Sequence, residues 1–149
     1  MDTATRSAID PYFLASHQGE TLECIGFRML ADDEKTGSRI LAGVVTNPGP
    51  GGPPMHTHLG RDELYFVLEG RYRFRMDGAS WEGGPGAFAF VPGGVSHTFE
   101  SVGPERGRLL ALTTPGFSGF LKEMNELARH NAEQGEMEEL FRRYDSRID

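Results

Sequence analysis

The apolar positions of this chain fall into two regimes. Between Thr21 and Thr114, short runs rich in Val, Leu, Phe and Tyr alternate with polar residues and are cut at close intervals by glycine, proline and charged turns. Beyond Pro115 the apolar spacing lengthens to that of a helix. The segments "TLECIGFRML" (21–30) and "SRILAGVV" (38–45) read as strands joined by the charged turn "ADDEKTG", forming a first hairpin. The stretch "NPGPGGPP" (47–54) lacks backbone donors at its prolines and reaches unusual dihedrals at its glycines, so it is an ordered loop or a crossover. From Met55 the strand pattern resumes with "MHTH", a turn at Leu59 to Arg61, "ELYFVLEG", "RYRFRM", a turn at Asp77 and Gly78, "SWEGG", "GAFAFVPGG", "SHTFES" and "RLLALTT". This cadence of short strands predicts an all-β sandwich or barrel. After it, Phe117, Phe120, Leu121, Met124, Leu127 and Ala128 share one helical stripe, and Met137, Leu140, Phe141 and Tyr144 share a second. Two C-terminal amphipathic helices are expected, packing the barrel or a second subunit with their stripes and meeting water with their acidic faces.

Period-two alternation also assigns faces. In "RYRFRM", Tyr72, Phe74 and Met76 leave one face while Arg71, Arg73 and Arg75 leave the other. Unpaired arginines are rarely buried, so the aromatic face points inward. "ELYFVLEG" is apolar on both faces, with Tyr65 and Val67 on that of Glu63 and Leu64, Phe66 and Leu68 opposite. A strand of this kind is covered on both sides, its outer face by the terminal helices, the N-terminal strands or another subunit, and a two-fold homodimer is expected.

The 149 residues suit a single domain (1–149), with the barrel core at about 21–114 and the helices at about 116–145. A formal charge of −7 offers no basic field to a nucleic acid or an anionic membrane. No apolar run approaches the roughly 20 residues that span a bilayer, and "MDTATRSAIDPYFLA" lacks the features of a signal peptide, which makes a cytoplasmic location the expectation. The single cysteine, Cys24, forms no internal disulfide and is expected to be a small buried side chain.

Two of the five histidines stand one residue apart, at His56 and His58. Side chains at i and i+2 of a strand share a face, which is the arrangement a metal ion needs from two cis ligands. Two carboxylates follow, Asp62 and Glu63, and strand phase does not choose between them, because the turn "LGRD" resets it. A third histidine, His97, emerges with Val95 and Phe99 after the reversal at Gly93 and Gly94. His17 and His130 have no such context and are expected at the surface.

The first cluster, HxH with four residues before Glu63 and six more before Gly70, resembles the first cupin motif. Gly86, five residues, Pro92, one residue, Gly94, two residues and His97 resemble the second. The resemblance spans about Thr21 to Thr114 and implies a cupin double-stranded β-helix, a jelly-roll barrel. It implies His56, His58, Glu63 and His97 as metal ligands, and Glu63 also as the base that takes a substrate proton. Pro50 replaces the family's glycine six positions before the first histidine, and Ser101 replaces the asparagine that ends the second motif; neither position supplies a ligand. Within the superfamily, "HTHLGRDELYFVLEGRYRFRM", "GPGAFAFVPGGVSHTF" and "TTPGFSGFLKEM" look most like the single-cupin proteins grouped with quercetin 2,3-dioxygenases.

This implies one divalent first-row ion (Mn, Fe, Co, Ni or Cu, with Zn admissible) and a dioxygenase acting with dioxygen on a flavonol-like or other enolisable aromatic small molecule. Four protein ligands would close a tetrahedral zinc site, whereas five or six coordination leaves a position for substrate. The alternatives are a metal-dependent isomerase or lyase, and a non-catalytic small-molecule-binding module. Tyr65, Phe74, Met76 and Phe99 are the expected substrate contacts, since an apolar, aromatic wall suits a planar ligand better than a sugar.

Overall fold

The computed structural model describes residues 8–149. The strands are β1 (Glu20–Leu22), β2 (Phe27–Ala31), β3 (Leu41–Asn47), β4 (His56–His58), β5 (Glu63–Glu69), β6 (Tyr72–Met76), β7 (Ala79–Gly83), β8 (Phe88–Val91), β9 (His97–Ser101), β10 (Gly107–Thr113) and β11 (Ser146–Ile148). Two helices, α1 (Ser118–Arg129) and α2 (Gln134–Arg143), stand between β10 and β11. The strands form a six-stranded sheet, β1-β2-β3-β10-β5-β8, and a five-stranded sheet, β11-β4-β9-β6-β7, with every pairing antiparallel. This is the two-sheet jelly roll that the cupin resemblance implies, followed by the two helices that the apolar stripes predict. None of the described helices is long and apolar enough to cross a membrane.

The first hairpin forms as β2 against β3, but its first arm is interrupted. A 3-10 turn at Glu23–Ile25 splits "TLECIGFRML", and Gly26 closes it with φ 63°. A side chain at Gly26 would meet the Thr46 carbonyl at 2.5 Å, so only glycine fits. That turn corrects the expectation for Cys24, which is exposed on it rather than buried in a strand.

Side-chain alternation fixes what lies inside. Tyr72 and Phe74 are buried and Met76 is half-buried, while Arg71 and Arg75 face outward and Arg73 donates to Glu82 (2.8 Å) and Glu100 (3.0 Å). The core has two parts. One lies between the sheets around Tyr65, Val67, Tyr72, Phe74, Val91 and Leu109. The other joins the inner faces of β1–β3 to Phe117, Phe120, Leu140 and Phe141 of the helical segment.

The helical segment is tied to the barrel by two charged residues. Arg61, in the turn after β4, donates to the Pro115 and Gly116 carbonyls and lies over the Phe117 ring at 4.8 Å. Asp33, in the turn after β2, accepts hydrogen bonds from Gly116 N (2.7 Å), Ser118 N (3.0 Å) and Ser118 Oγ (2.7 Å), so it caps α1 from another element. Burial pushes the Asp33 carboxyl up, but these hydrogen bonds and Arg61 outweigh it and leave the carboxyl below its ordinary 3.8. A carboxyl lowered on folding adds stability above its unfolded pKa and loses it as the pH falls through the folded one. Asp33→Asn is therefore expected to cost about 1–2 kcal/mol at neutral pH. Thermal melts at pH 7 and pH 3 should show the gap between wild type and variant narrowing in acid.

Candidate metal centre

Strand pairing assembles the cluster. β4 carries His56 and His58, and His56 lies directly opposite His97 of β9. Glu63 opens β5 in the facing sheet, after the turn at Leu59 and Gly60. All four residues are buried, and one ligand atom from each lies within 4.8 Å of all the others. The ring centroids of His56 are 4.8 Å from His58 and 4.4 Å from His97. The carboxylate left open by strand phase is Glu63; Asp62 is exposed and accepts from Gly93 N instead. His17 and His130 are exposed.

Hydrogen bonds set the tautomers. His56 Nδ1 is 2.7 Å from the Pro54 carbonyl and His97 Nδ1 is 2.8 Å from the Val95 carbonyl. A carbonyl only accepts, so both Nδ1 atoms carry the proton and both Nε2 lone pairs are left for the cluster. His58 Nδ1 is 2.6 Å from Ser146 Oγ, which leaves its Nε2 as the cluster-facing nitrogen, 3.6 Å from Glu63 Oε1. Glu63 Oε2 accepts from the Tyr65 hydroxyl at 2.7 Å and lies 2.8 Å from His97 Nε2. With the Nδ1 proton of His97 committed to Val95, a neutral ring would set two lone pairs face to face across that 2.8 Å. A cation belongs there, either a proton or a metal ion, and the donor set of three imidazoles and one carboxylate suits a divalent first-row ion.

The electrostatics agree. Burial lowers His56 and, helped by the neighbouring imidazoles, lowers His58 to about 4, so both stay neutral and available as ligands. Burial also opposes the charge on His97, yet Glu63 raises it. Burial would raise Glu63, but the His97 hydrogen bond and the adjacent imidazoles hold it well below the usual carboxylate range. Burial and the Glu63 charge push the Tyr65 phenol well above 10, so it remains a donor.

The cluster opens on a cavity of about 540 Å³. Tyr65 and Phe99 form part of its wall beside the cluster, and Phe117, Phe120, Met124 and Phe141 from the helical segment form another part. Of the four expected substrate contacts, Tyr65 and Phe99 thus reach the cavity, while Phe74 and Met76 are not among its lining residues. Phe74 packs behind the wall, with ring centroids 6.1 Å from Tyr65 and 6.2 Å from Tyr72. Phe74 and Met76 line a separate, smaller pocket with Trp81, Phe88 and Ala89, although Met76 lies directly opposite His97 across β6 and β9.

The helical stripes were legible as core, but their second role was not: Phe117 and Phe120 lie 4.8 Å and 5.9 Å from the His58 ring. Ser146 carries no motif at all. The short alternation "SRI" after α2 is its sole signal, and Asp145, with φ 54°, makes the reversal without a glycine to mark it.

Residues 44–113 match the family model of the cupin domain. The fold is that of a cupin. Among solved structures, the predicted oxalate decarboxylase of Thermotoga maritima superposes with a TM-score of 0.57 at 24% identity, over 60% of this chain and 78% of that one. A protein of Thermus thermophilus gives 0.50 at 28% identity, over 52% and 74%. An uncharacterized protein of Methanocaldococcus jannaschii is 28% identical over 64 residues, 43% of this chain and 51% of the relative, so the chain spans about half the length of the curated relative it matches. The matched cupin segment, 44–113, contains all four residues of the cluster and none of the helical segment that walls the cavity.

Proposed function

We propose that this cupin is a metal-dependent dioxygenase of the quercetin 2,3-dioxygenase-like kind, acting on a flavonol-like or other enolisable aromatic molecule. The observation that carries the reading is the buried cluster of three imidazoles and one carboxylate, of which His56, His58 and Glu63 line the apolar, aromatic cavity. His56, His58, Glu63 and His97 would hold one divalent first-row ion. When bound, such an ion supplies Lewis acidity toward an enolate oxygen and, if redox-active, a route for electrons to dioxygen. The protein supplies the rest. Tyr65 and Phe99, with Phe117 and Phe141 across the cavity, offer flat apolar surfaces that hold a planar ring and exclude water. Glu63 is the one carboxylate of the cluster and the acceptor for a substrate hydroxyl proton, and the Tyr65 hydroxyl at Oε2 holds that carboxylate in place. An apolar lining of this kind does not favour a sugar, which calls for converging amide and charged groups.

Oxygen consumption by protein reconstituted separately with each first-row metal, with flavonols and smaller enediols as substrates, tests the activity. Metal-dependent oxygen uptake with ring-opened product supports it. Product formed at an undiminished rate without oxygen would replace it by an isomerase or lyase, and saturable binding without chemistry by a binding module.

We further propose that the cupin acts as a homodimer through the outer face of β5 and β8. Phe66 and Leu68 are 39% exposed there, and Phe88 and Phe90 are 61% and 52% exposed. Leu110 and Leu112 of β10 share the face through their pairing with Phe66 and Leu64. At one end of the face Glu69 pairs with both Arg106 and Arg108. Sedimentation at micromolar concentration is expected to give the mass of two chains and Phe88→Lys the mass of one; a wild-type monomer contradicts the dimer.

A further inference from the structure

The three histidines are oriented in two different ways. His56 and His97 each use the carbonyl two residues earlier in their own segment, Pro54 and Val95. His58 has no such local partner: two residues before it stands His56, within the same strand. Its Nδ1 instead reaches Ser146 Oγ, 88 positions away, at 2.6 Å. Ser146 opens β11, which pairs with β4 so that Ser146 lies opposite His58 and Ile148 opposite His56. The serine itself is buried, and its Oγ is also 3.0 Å from the Tyr144 carbonyl.

The two contacts of Ser146 admit one proton arrangement. The Tyr144 carbonyl only accepts, so the serine hydroxyl donates to it, and the serine lone pair is left to accept from His58 Nδ1–H. The Nε2 lone pair of His58 then faces the cluster. Were the ring in its other tautomer, the Nε2 proton would point at the other ligands and no lone pair would remain for a cation.

We propose that Ser146 is a positioning residue for the metal centre, fixing the tautomer and ring orientation of His58 from the last strand of the chain. This rests on the reading of the four-residue cluster as a metal site. It also gives the C-terminal segment a second task. The helices α1 and α2 wall the cavity, and the chain that leaves α2 delivers the hydroxyl that orients one ligand.

The test compares wild type with Ser146→Ala, Ser146→Cys and Ser146→Thr. The cysteine variant keeps the side-chain volume but offers a poor acceptor, so it reads the same loss if the alanine variant packs badly. Imidazole ¹⁵N spectra of the metal-free proteins above pH 8 report the His58 tautomer directly. Wild type and the threonine variant are expected to show a single Nδ1–H form, and the alanine and cysteine variants a mixture with Nε2–H. Zinc affinity by competition with a chromophoric chelator is expected to fall about 10- to 100-fold in the alanine and cysteine variants and to return with threonine. An unchanged tautomer in both the alanine and the cysteine variants overturns the proposal, whatever happens to affinity. A wild-type chain that takes up no divalent ion would sink the metal reading alone, because the tautomer comparison still decides the role of Ser146.

Discussion

His56→Ala is expected to lower divalent-metal affinity by about 100-fold or more, beyond the 10- to 100-fold typical of losing an outer hydrogen-bond partner of a ligand. The variant removes one of three Nε2 donors and leaves a cluster of two imidazoles and Glu63. It does so with little other damage, since the ring's one hydrogen bond is to the Pro54 carbonyl and the Glu63 carboxylate keeps Tyr65 and His97 as partners. The effect reads out twice. Metal retained after dialysis against a weak chelator should drop from near one ion per chain to near none. Wild type in metal at about 100 times its dissociation constant should gain about 2.7 kcal/mol, or about 5–10 °C in melting temperature, and the variant should gain almost none at the same concentration. Equal retention in both proteins would show that this histidine is not a ligand.

The second large effect lies on the other side of the cavity. Phe141→Ala is expected to destabilise the chain by about 3–5 kcal/mol, a large part of the stability of an ordinary domain. Phe141 is buried and meets Phe120 edge to face at 5.0 Å, while its ring lies 6.0 Å from His56 and 6.2 Å from His58. Removing it deletes the edge-to-face contact with Phe120 and the packing of α2 on the two histidine rings, and it leaves a hole beside the cavity that Phe141 lines. Urea denaturation should show the loss as a lower midpoint. The β strands that carry the four-residue cluster pair without Phe141, so the folded variant is expected to match the wild type in metal bound per chain while admitting water to the cavity. A variant as stable as wild type would mean that the helical segment does not pack on the barrel as described.

The strands and the His/Glu cluster were legible because they depend on short-range signals. Alternation in "RYRFRM" placed Tyr72 and Phe74 inside, and two spaced motifs placed His56, His58, Glu63 and His97 together. What stayed hidden depends on long-range pairing or on a broken pattern. Cys24 sits in an apolar run that looks continuous, and the reversal at Gly26 that exposes it is visible only through its close approach to the Thr46 carbonyl. Ser146 gains its meaning solely from being opposite His58 across β4 and β11, a register that follows from how two helices return the chain to the barrel. Phe74 and Met76 show the limit of a face assignment: it says which side chains point inward, not which cavity they line, and both line a separate pocket although Met76 lies opposite His97.

The most direct test of the metal centre is a crystal structure of protein loaded with a first-row divalent ion, read by anomalous scattering at that metal's absorption edge. The expected result is one peak per chain, about 2.0–2.2 Å from the Nε2 atoms of His56, His58 and His97 and from a Glu63 oxygen. A cluster without an anomalous peak, or a His97 ring swung out of reach of the other two, would contradict it.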